Sequence, residues 1–224
     1  MDKDERILVL ENVIAQMLKP LKNVPFDLLI KGLSGKRVLK FDASLAVDMA
    51  FLKILEDVVL AVHAAVSATP IARPRPNEVG NDIEPFVQQA LKLAGCVSET
   101  PSGASGKKKS TGYPDLLVFD PNKRPIYLEC KTYSESSIDT SFRAFYLSPS
   151  TDFKISHDAQ HLLVAFEMIV IGRNGLNNLY VPKNAKIISL EDLLCDVKYE
   201  FNASNRGLYQ NSRVLREISF ILSD

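Results

Sequence analysis

The segment "YPDLLVFDPNKRPIYLECKTYS", from Tyr113 to Ser134, is the most informative part of the sequence. Two mainly apolar runs flank the segment "DPNKR", in which Asp followed by Pro is a strong signal for a tight turn. The stretch therefore predicts a β-hairpin. If the hairpin is symmetric about Asn122, Asp115 on the first strand lies directly opposite Glu129 on the second.

The hairpin carries charged residues where a core strand would be apolar. Alternation along the second strand puts Tyr127, Glu129 and Lys131 on one face, and directly opposed Cβ atoms lie about 4.5–5.5 Å apart. Two carboxylates this close repel one another unless a proton, a cation or a metal ion lies between them. The alternative is a turn acid at Asp115 beside a solvated Glu129–Lys131 ion pair, but the flanking apolar residues favour a functional site.

This pattern resembles a known motif. Pro114-Asp115 followed by Glu129-Cys130-Lys131 is similar to the PD-(D/E)XK motif of nucleases, most closely that of type II restriction endonucleases. The resemblance implies a restriction-endonuclease-like core with the motif on two adjacent strands. It also implies that Asp115 and Glu129 bind the metal ion and that Lys131 is the catalytic lysine.

Many members of this superfamily place a further metal-binding glutamate on the helix before the first core strand. Glu84 is the best match to it here, and Glu78 is a weaker one. An acid in the first turn of a helix also complements the helix dipole, so the two interpretations of Glu84 remain open.

The rest of the sequence predicts an α/β fold of mixed α+β type. We expect helices over residues 4–18, 41–67 and 83–95, with Asp42 or Ser44 as a cap of the second. Strands are predicted at 162–171 and 179–190, with a helical turn after Ser156, giving a mixed sheet of about five strands flanked by helices. Residues 1–70 are predicted to form a helical region packed on a nuclease core at 71–224, within one compact domain.

Composition and charge constrain the cellular location of the protein and the way in which it can contact DNA. Apolar residues make up 46% of the 224 residues and the formal net charge is zero, so contacts with DNA must come from local basic clusters. The three cysteines are widely separated and form no disulfide framework. The charged beginning does not resemble a signal peptide, and the longest apolar run contains Glu167 and is too short to span a bilayer. We therefore expect a cytoplasmic protein with no membrane segment.

Polar segments outside the hairpin are candidates for DNA contacts. In the segment "EFNASNRGLYQ" an asparagine can bond an adenine edge and an arginine a guanine edge, although a polar turn explains the same composition. This segment is also similar to one near the C-terminus of some restriction enzymes. The candidate DNA-binding residues are Lys107, Lys108, Arg143, Asn202, Ser204, Asn205 and Arg206.

The resemblance implies a Mg²⁺-dependent type II restriction endonuclease that hydrolyses double-stranded DNA at a short specific sequence. A homodimer is expected, because one active site cuts one strand and two-fold related subunits cut both. The alternatives are a repair or junction-resolving nuclease of the same fold, or a non-catalytic DNA-binding protein that kept the fold. His157 and His161 have the spacing of a zinc-protease motif, but Asp158 replaces its glutamate, so we interpret them as part of a capped turn.

Overall fold

The computed structural model describes residues 2–17, 19, 21–106, 112–134, 145–147 and 152–197. The helices are α1 (Lys3–Met17), α2 (Phe26–Ser34), α3 (Ala46–Ala68) and α4 (Gly80–Leu93), with a short 3-10 helix at Pro76–Glu78. The strands are β1 (Leu21–Pro25), β2 (Ile71–Arg73), β3 (Val97–Glu99), β4 (Leu116–Phe119), β5 (Pro125–Tyr133), β6 (Gln160–Asn174), β7 (Asn177–Ser189) and β8 (Leu194–Val197). The chain forms two compact units, one of residues 1–23 with 196–224 and the other of Val24–Cys195.

The larger unit is built on a six-stranded sheet in the order β2-β7-β6-β5-β4-β3. β5 and β6 run parallel and the other neighbours are antiparallel. In the β4–β5 hairpin Leu116 pairs with Leu128 and Phe119 with Pro125. This register is the one predicted from the turn, and its continuation by one residue sets Asp115 against Glu129.

Each face of the sheet packs in a different cluster of buried side chains. Leu116, Leu128 and Cys130 face a cluster that includes apolar residues of α3 and α4. Leu117 and Tyr127 face the second cluster, which includes Phe26 of α2. Strict alternation on β4 and β5 produces this division. The predicted class, a mixed sheet flanked by helices, is therefore confirmed.

Several local predictions were wrong, each for a physical reason. α3 begins after Leu45 without a side-chain cap, because the carboxylate of Asp42 accepts bonds from Ser44 instead. No helical turn follows Ser156. The backbone N–H groups of Ser156 and His157 both donate to the hydroxyl of Tyr127, so they are not available for helical hydrogen bonds. The sheet has six strands because the short β2 and β3 pair at its edges.

α1 belongs to the smaller unit. Its six aliphatic residues between Ile7 and Ile14 are all exposed, and none of its described side chains is buried. Within the described ranges, the chain has no helix that is long and apolar enough to cross a membrane. The predicted boundary near residue 70 stays a prediction, although α3 and the sheet share one cluster of buried residues.

Candidate active site

The open end of the β4–β5 hairpin brings the three motif residues together. Asp115 lies immediately before β4, and its Oδ2 accepts a hydrogen bond from the backbone N–H of Cys130 at 2.9 Å. Cys130 points its side chain into the buried cluster on the far face, so Glu129 and Lys131 project on the near face. The Nζ atom of Lys131 lies 2.6 Å from Oε1 of Glu129. The predicted acids and lysine therefore converge at the open end of the hairpin.

The charges of this group depend on burial and on one another. The side chain of Glu129 is only 3% exposed. Burial, and then the negative charge of Asp115, raise the pKa of Glu129 to about 7, against the opposing effect of Lys131. Burial lowers the pKa of the Lys131 ammonium, but Glu129 and Asp115 outweigh it and the net pKa is raised. Lys131 is therefore protonated at neutral pH, whereas Glu129, beside Lys131 but without a metal ion, is close to the midpoint of its titration.

Glu84 faces the same group from α4. Its side chain is half-buried, and burial and the charge of Asp115 raise its pKa, while Lys154 and Lys131 act in the opposite direction. A Cβ atom added at Gly80, one turn earlier, would lie 3.6 Å from the hydroxyl oxygen of Thr132. The beginning of α4 therefore packs on the end of β5, which directs Glu84 toward the motif residues.

The carboxylates fit a hard divalent cation. Oε2 of Glu129 is buried and has no hydrogen-bond partner within the described part of the chain, and such an oxygen is costly to bury unless something binds it. In the same part of the chain, no three acid, histidine or cysteine side chains are grouped closely enough to hold a metal ion by themselves. Mg²⁺ does not need three, because it is commonly held by one or two carboxylates together with waters and substrate phosphates.

Two sets of contacts near the site, those of Lys154 and of Tyr113, are not indicated by any pattern in the sequence. Lys154 is buried, and its Nζ donates to the backbone carbonyls of Gly112 at 2.5 Å and Pro114 at 2.8 Å. The hydroxyl of Tyr113 lies 2.6 Å from Nδ1 of His161. Neither contact follows from periodicity or from a motif, because both join segments that are about 40 or more residues apart.

Comparison with known proteins shows which family the chain belongs to. Residues 20–212 match the model of the type II restriction enzyme MjaV family. The chain is 35% identical over 223 residues to the type II restriction enzyme MjaV of Methanocaldococcus jannaschii, and the alignment covers 93% of this chain and 94% of that protein. The chain belongs to the type II restriction enzyme MjaV family.

In this MjaV-family chain the two histidines do not form a metal pair. Nδ1 of His157 contacts the hydroxyl of Ser156 at 2.9 Å, whereas His161 is in the core and contacts Tyr113. Burial lowers the pKa of His161 to about 3, so its imidazole is neutral. The residues proposed to contact DNA lie outside the described part of this MjaV-family chain: Lys107, Lys108, Arg143, Asn202, Ser204, Asn205 and Arg206.

Proposed function

We propose that Asp115, Glu129 and Lys131 form the hydrolytic site of this restriction enzyme. Family membership confirms the predicted activity class, a type II site-specific deoxyribonuclease. The observation that supports the site most strongly is the convergence at the hairpin end. There Cys130 holds Asp115, and Glu129 buries one oxygen that has no partner among the described residues.

Type II restriction enzymes generally use divalent metal ions, and we propose Mg²⁺ for this chain. Asp115 and Glu129 would hold it directly, and Glu84, which is not grouped closely enough with them to bind the same ion, would contact it through a coordinated water. All three offer the hard carboxylate oxygens that Mg²⁺ prefers. When bound, Mg²⁺ supplies a Lewis acid that offsets charge developing on the phosphate and favours water as a nucleophile at neutral pH.

Lys131 acts as a cation and hydrogen-bond donor in this proposal. Burial lowers the pKa of the ammonium, but Glu129 and Asp115 raise it more, so without a metal ion Lys131 is a protonated donor. The contact with Glu129 at 2.6 Å fixes Nζ beside the carboxylates. A donor fixed there stabilises the negative charge that grows on a non-bridging phosphate oxygen in the transition state.

The backbone of β5 fixes the orientation of the Asp115 carboxylate. The hydrogen bond from Cys130 occupies Oδ2 and limits rotation of the carboxylate. Because Cys130 lies between Glu129 and Lys131 in the chain, the same peptide segment positions all three functional side chains. The site therefore has its geometry before substrate binds, which lowers the cost of reaching the transition state.

We also propose that the enzyme works as a cytoplasmic homodimer on double-stranded DNA. One site cuts one strand, so two-fold related subunits on a symmetric sequence are the simplest way to cut both. The exposed aliphatic residues of α1 support a second copy of this chain as the occupant of that surface.

A plasmid digestion tests the proposed function. We expect discrete fragments with 5′-phosphate ends when Mg²⁺ is present, and intact plasmid when the metal is chelated. Smears or branch-specific cuts would instead indicate a repair nuclease. Intact plasmid with Mg²⁺ present would contradict hydrolysis at this site.

A further inference from the structure

Lys154 is a buried lysine that lies outside the motif. It is 3% exposed, and its ammonium donates to the carbonyls of Gly112 and Pro114. A buried charge is costly unless hydrogen bonds satisfy it. The Pro114 carbonyl belongs to the peptide bond that leads into Asp115, so Lys154 holds the backbone directly before the metal-binding acid.

The segment that carries Lys154, residues 152–157, is fixed on both sides of it. Oδ1 of Asp152 accepts a hydrogen bond from the N–H of Ser105 at 2.8 Å. The N–H groups of Ser156 and His157 donate to the hydroxyl of Tyr127 at 2.7 and 3.1 Å. Tyr127 is fully buried in β5, two residues before Glu129. Residues 152–157 therefore link the strand that bears Glu129 to the backbone that bears Asp115.

Close packing fixes the segment further. A Cβ atom built on Gly103 would overlap the carboxylate of Asp152, so the Asp152 side chain packs directly against the backbone of Gly103. Ile155, the neighbour of Lys154, is buried in the same cluster as Tyr113 and Tyr127. Neither end of the segment can shift without losing packing or a hydrogen bond.

Lys154 and Lys131 contact different groups. Lys131 contacts Glu129 directly, whereas the hydrogen bonds described for Lys154 go to backbone carbonyls. The positive charge of Lys154 nevertheless affects the pKa of a nearby acid, Glu84. Burial and Asp115 raise the pKa of Glu84, and Lys154 is the largest influence that lowers it.

We propose that Lys154 is a positioning residue for the metal-binding carboxylates. This inference rests on the proposed site at Asp115 and Glu129. Lys154 sets the location of the Asp115 carboxylate through the carbonyls of Gly112 and Pro114, and it makes no contact with substrate. Groups that orient metal ligands typically change metal affinity by about 10–100-fold when they are removed.

Terbium binding to Lys154→Met tests the proposal without DNA or catalysis. Tb³⁺ binds oxygen ligands, and tyrosine sensitises its luminescence. The chain has seven tyrosines and no tryptophan, so the signal comes from tyrosine. We expect the apparent Kd of the Mg²⁺-competed component to rise by about 10–100-fold in Lys154→Met, with affinities compared at temperatures where circular dichroism shows the variant to be folded.

Arg124→Met is the matched control. Arg124 lies at the opposite end of the hairpin and donates to the buried carboxylates of Asp120 and Asp48, so its loss also disrupts a buried charge. Its Tb³⁺ affinity should stay within about twofold of wild type if metal affinity depends on positioning. An equal loss of affinity in Arg124→Met and Lys154→Met would overturn the proposal.

The Asp115→Asn variant distinguishes a failure of the inference about Lys154 from a failure of the proposed site. If Asp115→Asn keeps the Mg²⁺-competed signal, the site itself is wrong. If Asp115→Asn loses that signal and Lys154→Met keeps wild-type affinity, only the inference about Lys154 is wrong. Lys154→Gln, which keeps a donor for one carbonyl, replaces Lys154→Met under the same criterion if the latter does not fold. Unfolding of both variants would assign Lys154 to stability alone and would overturn the proposal.

Discussion

The backbone N–H of Cys130 donates a hydrogen bond to Oδ2 of Asp115 at 2.9 Å. This one contact joins the acid before the first strand of the hairpin to the peptide between Glu129 and Lys131. The side chain of Cys130 is buried on the opposite face of the sheet. The geometry of the proposed active site is therefore set by the backbone of a packed hairpin.

Asp115→Asn should lose metal binding and keep its fold. The asparagine oxygen can still accept the hydrogen bond from Cys130, but the neutral amide no longer supplies a carboxylate to a divalent cation. The measurement is a calorimetric titration of Ca²⁺ into each protein bound to a DNA fragment that the wild type cuts. Ca²⁺ should support DNA binding by the wild type without cleavage.

Asp158→Asn is the control for this change, because Asp158 pairs with Arg37 at an exposed position away from the hairpin end. It should keep wild-type Ca²⁺ affinity. Equal Ca²⁺ affinity of Asp115→Asn and the wild type would remove Asp115 from the metal site.

The titration of His161 should lower the free energy of unfolding in mild acid. Burial lowers its pKa to about 3, below the ordinary value near 6.5, so the unfolded chain binds the proton more readily than the folded chain. Its contribution is fully present above pH about 6.5 and is lost as the pH falls toward 3, by about 1.4 kcal/mol per pH unit within that window. Urea unfolding at pH 7.5 and pH 5 should show about 2 kcal/mol of this loss in the wild type.

His161→Gln should show a shallower dependence of stability on pH, because the glutamine does not titrate. His63→Gln, at an exposed position of α3, is the control for the substitution of histidine by glutamine. An unchanged slope in His161→Gln would contradict a neutral buried imidazole at this position.

Leu10→Asp should weaken the proposed homodimer. Leu10 is 52% exposed near the middle of α1, among other exposed aliphatic side chains, and a charge in an apolar contact between subunits is costly to desolvate. Light scattering over a range of concentrations should show a shift toward monomer. Leu60→Asp, at an exposed apolar position of α3, should keep the dimer. A wild type that is monomeric both free and on DNA would contradict the dimer itself.

Arg206→Ala and Asn205→Ala should each cost about 1–3 kcal/mol of specific binding and relax discrimination at one base pair. The reason is that arginine and asparagine can each bond a base edge in the major groove with two hydrogen bonds. The measurement is the affinity for the cognate site and for its single-base variants at several salt concentrations. Uniform weakening of all sequences, with a smaller salt dependence, would reassign these residues to phosphate contacts.

The hairpin was predictable from sequence because three independent signals agreed on it. The turn "DPNKR" fixed the register, alternation fixed the faces, and opposed acids marked the functional end. The edge strand at Ile71–Arg73 was not predicted because its short length and the prolines on either side of it, Pro70 and Pro74, are typical of a connector. It forms because β7 extends far enough to pair with it.

The surroundings of the site were less predictable than its motif. Lys154 lies in the segment "TDFKISH", which has no periodicity and no spacing relative to the motif, and only tertiary structure brings it to Gly112 and Pro114. The helical turn expected after Ser156 failed for a similar reason. A distant hydroxyl, that of Tyr127, binds the backbone N–H groups of Ser156 and His157.

The single-turnover cleavage rate of Lys131→Ala at saturating Mg²⁺, with DNA affinity measured in Ca²⁺, tests the proposed hydrolytic site directly. Removing the ammonium should lower the rate by at least about 10²–10³-fold, while specific DNA binding stays within a few-fold of wild type. Lys53→Ala, which removes a surface ion pair on α3, should cut at the wild-type rate. Near-normal turnover by Lys131→Ala would contradict the assignment of the hydrolytic site to this hairpin.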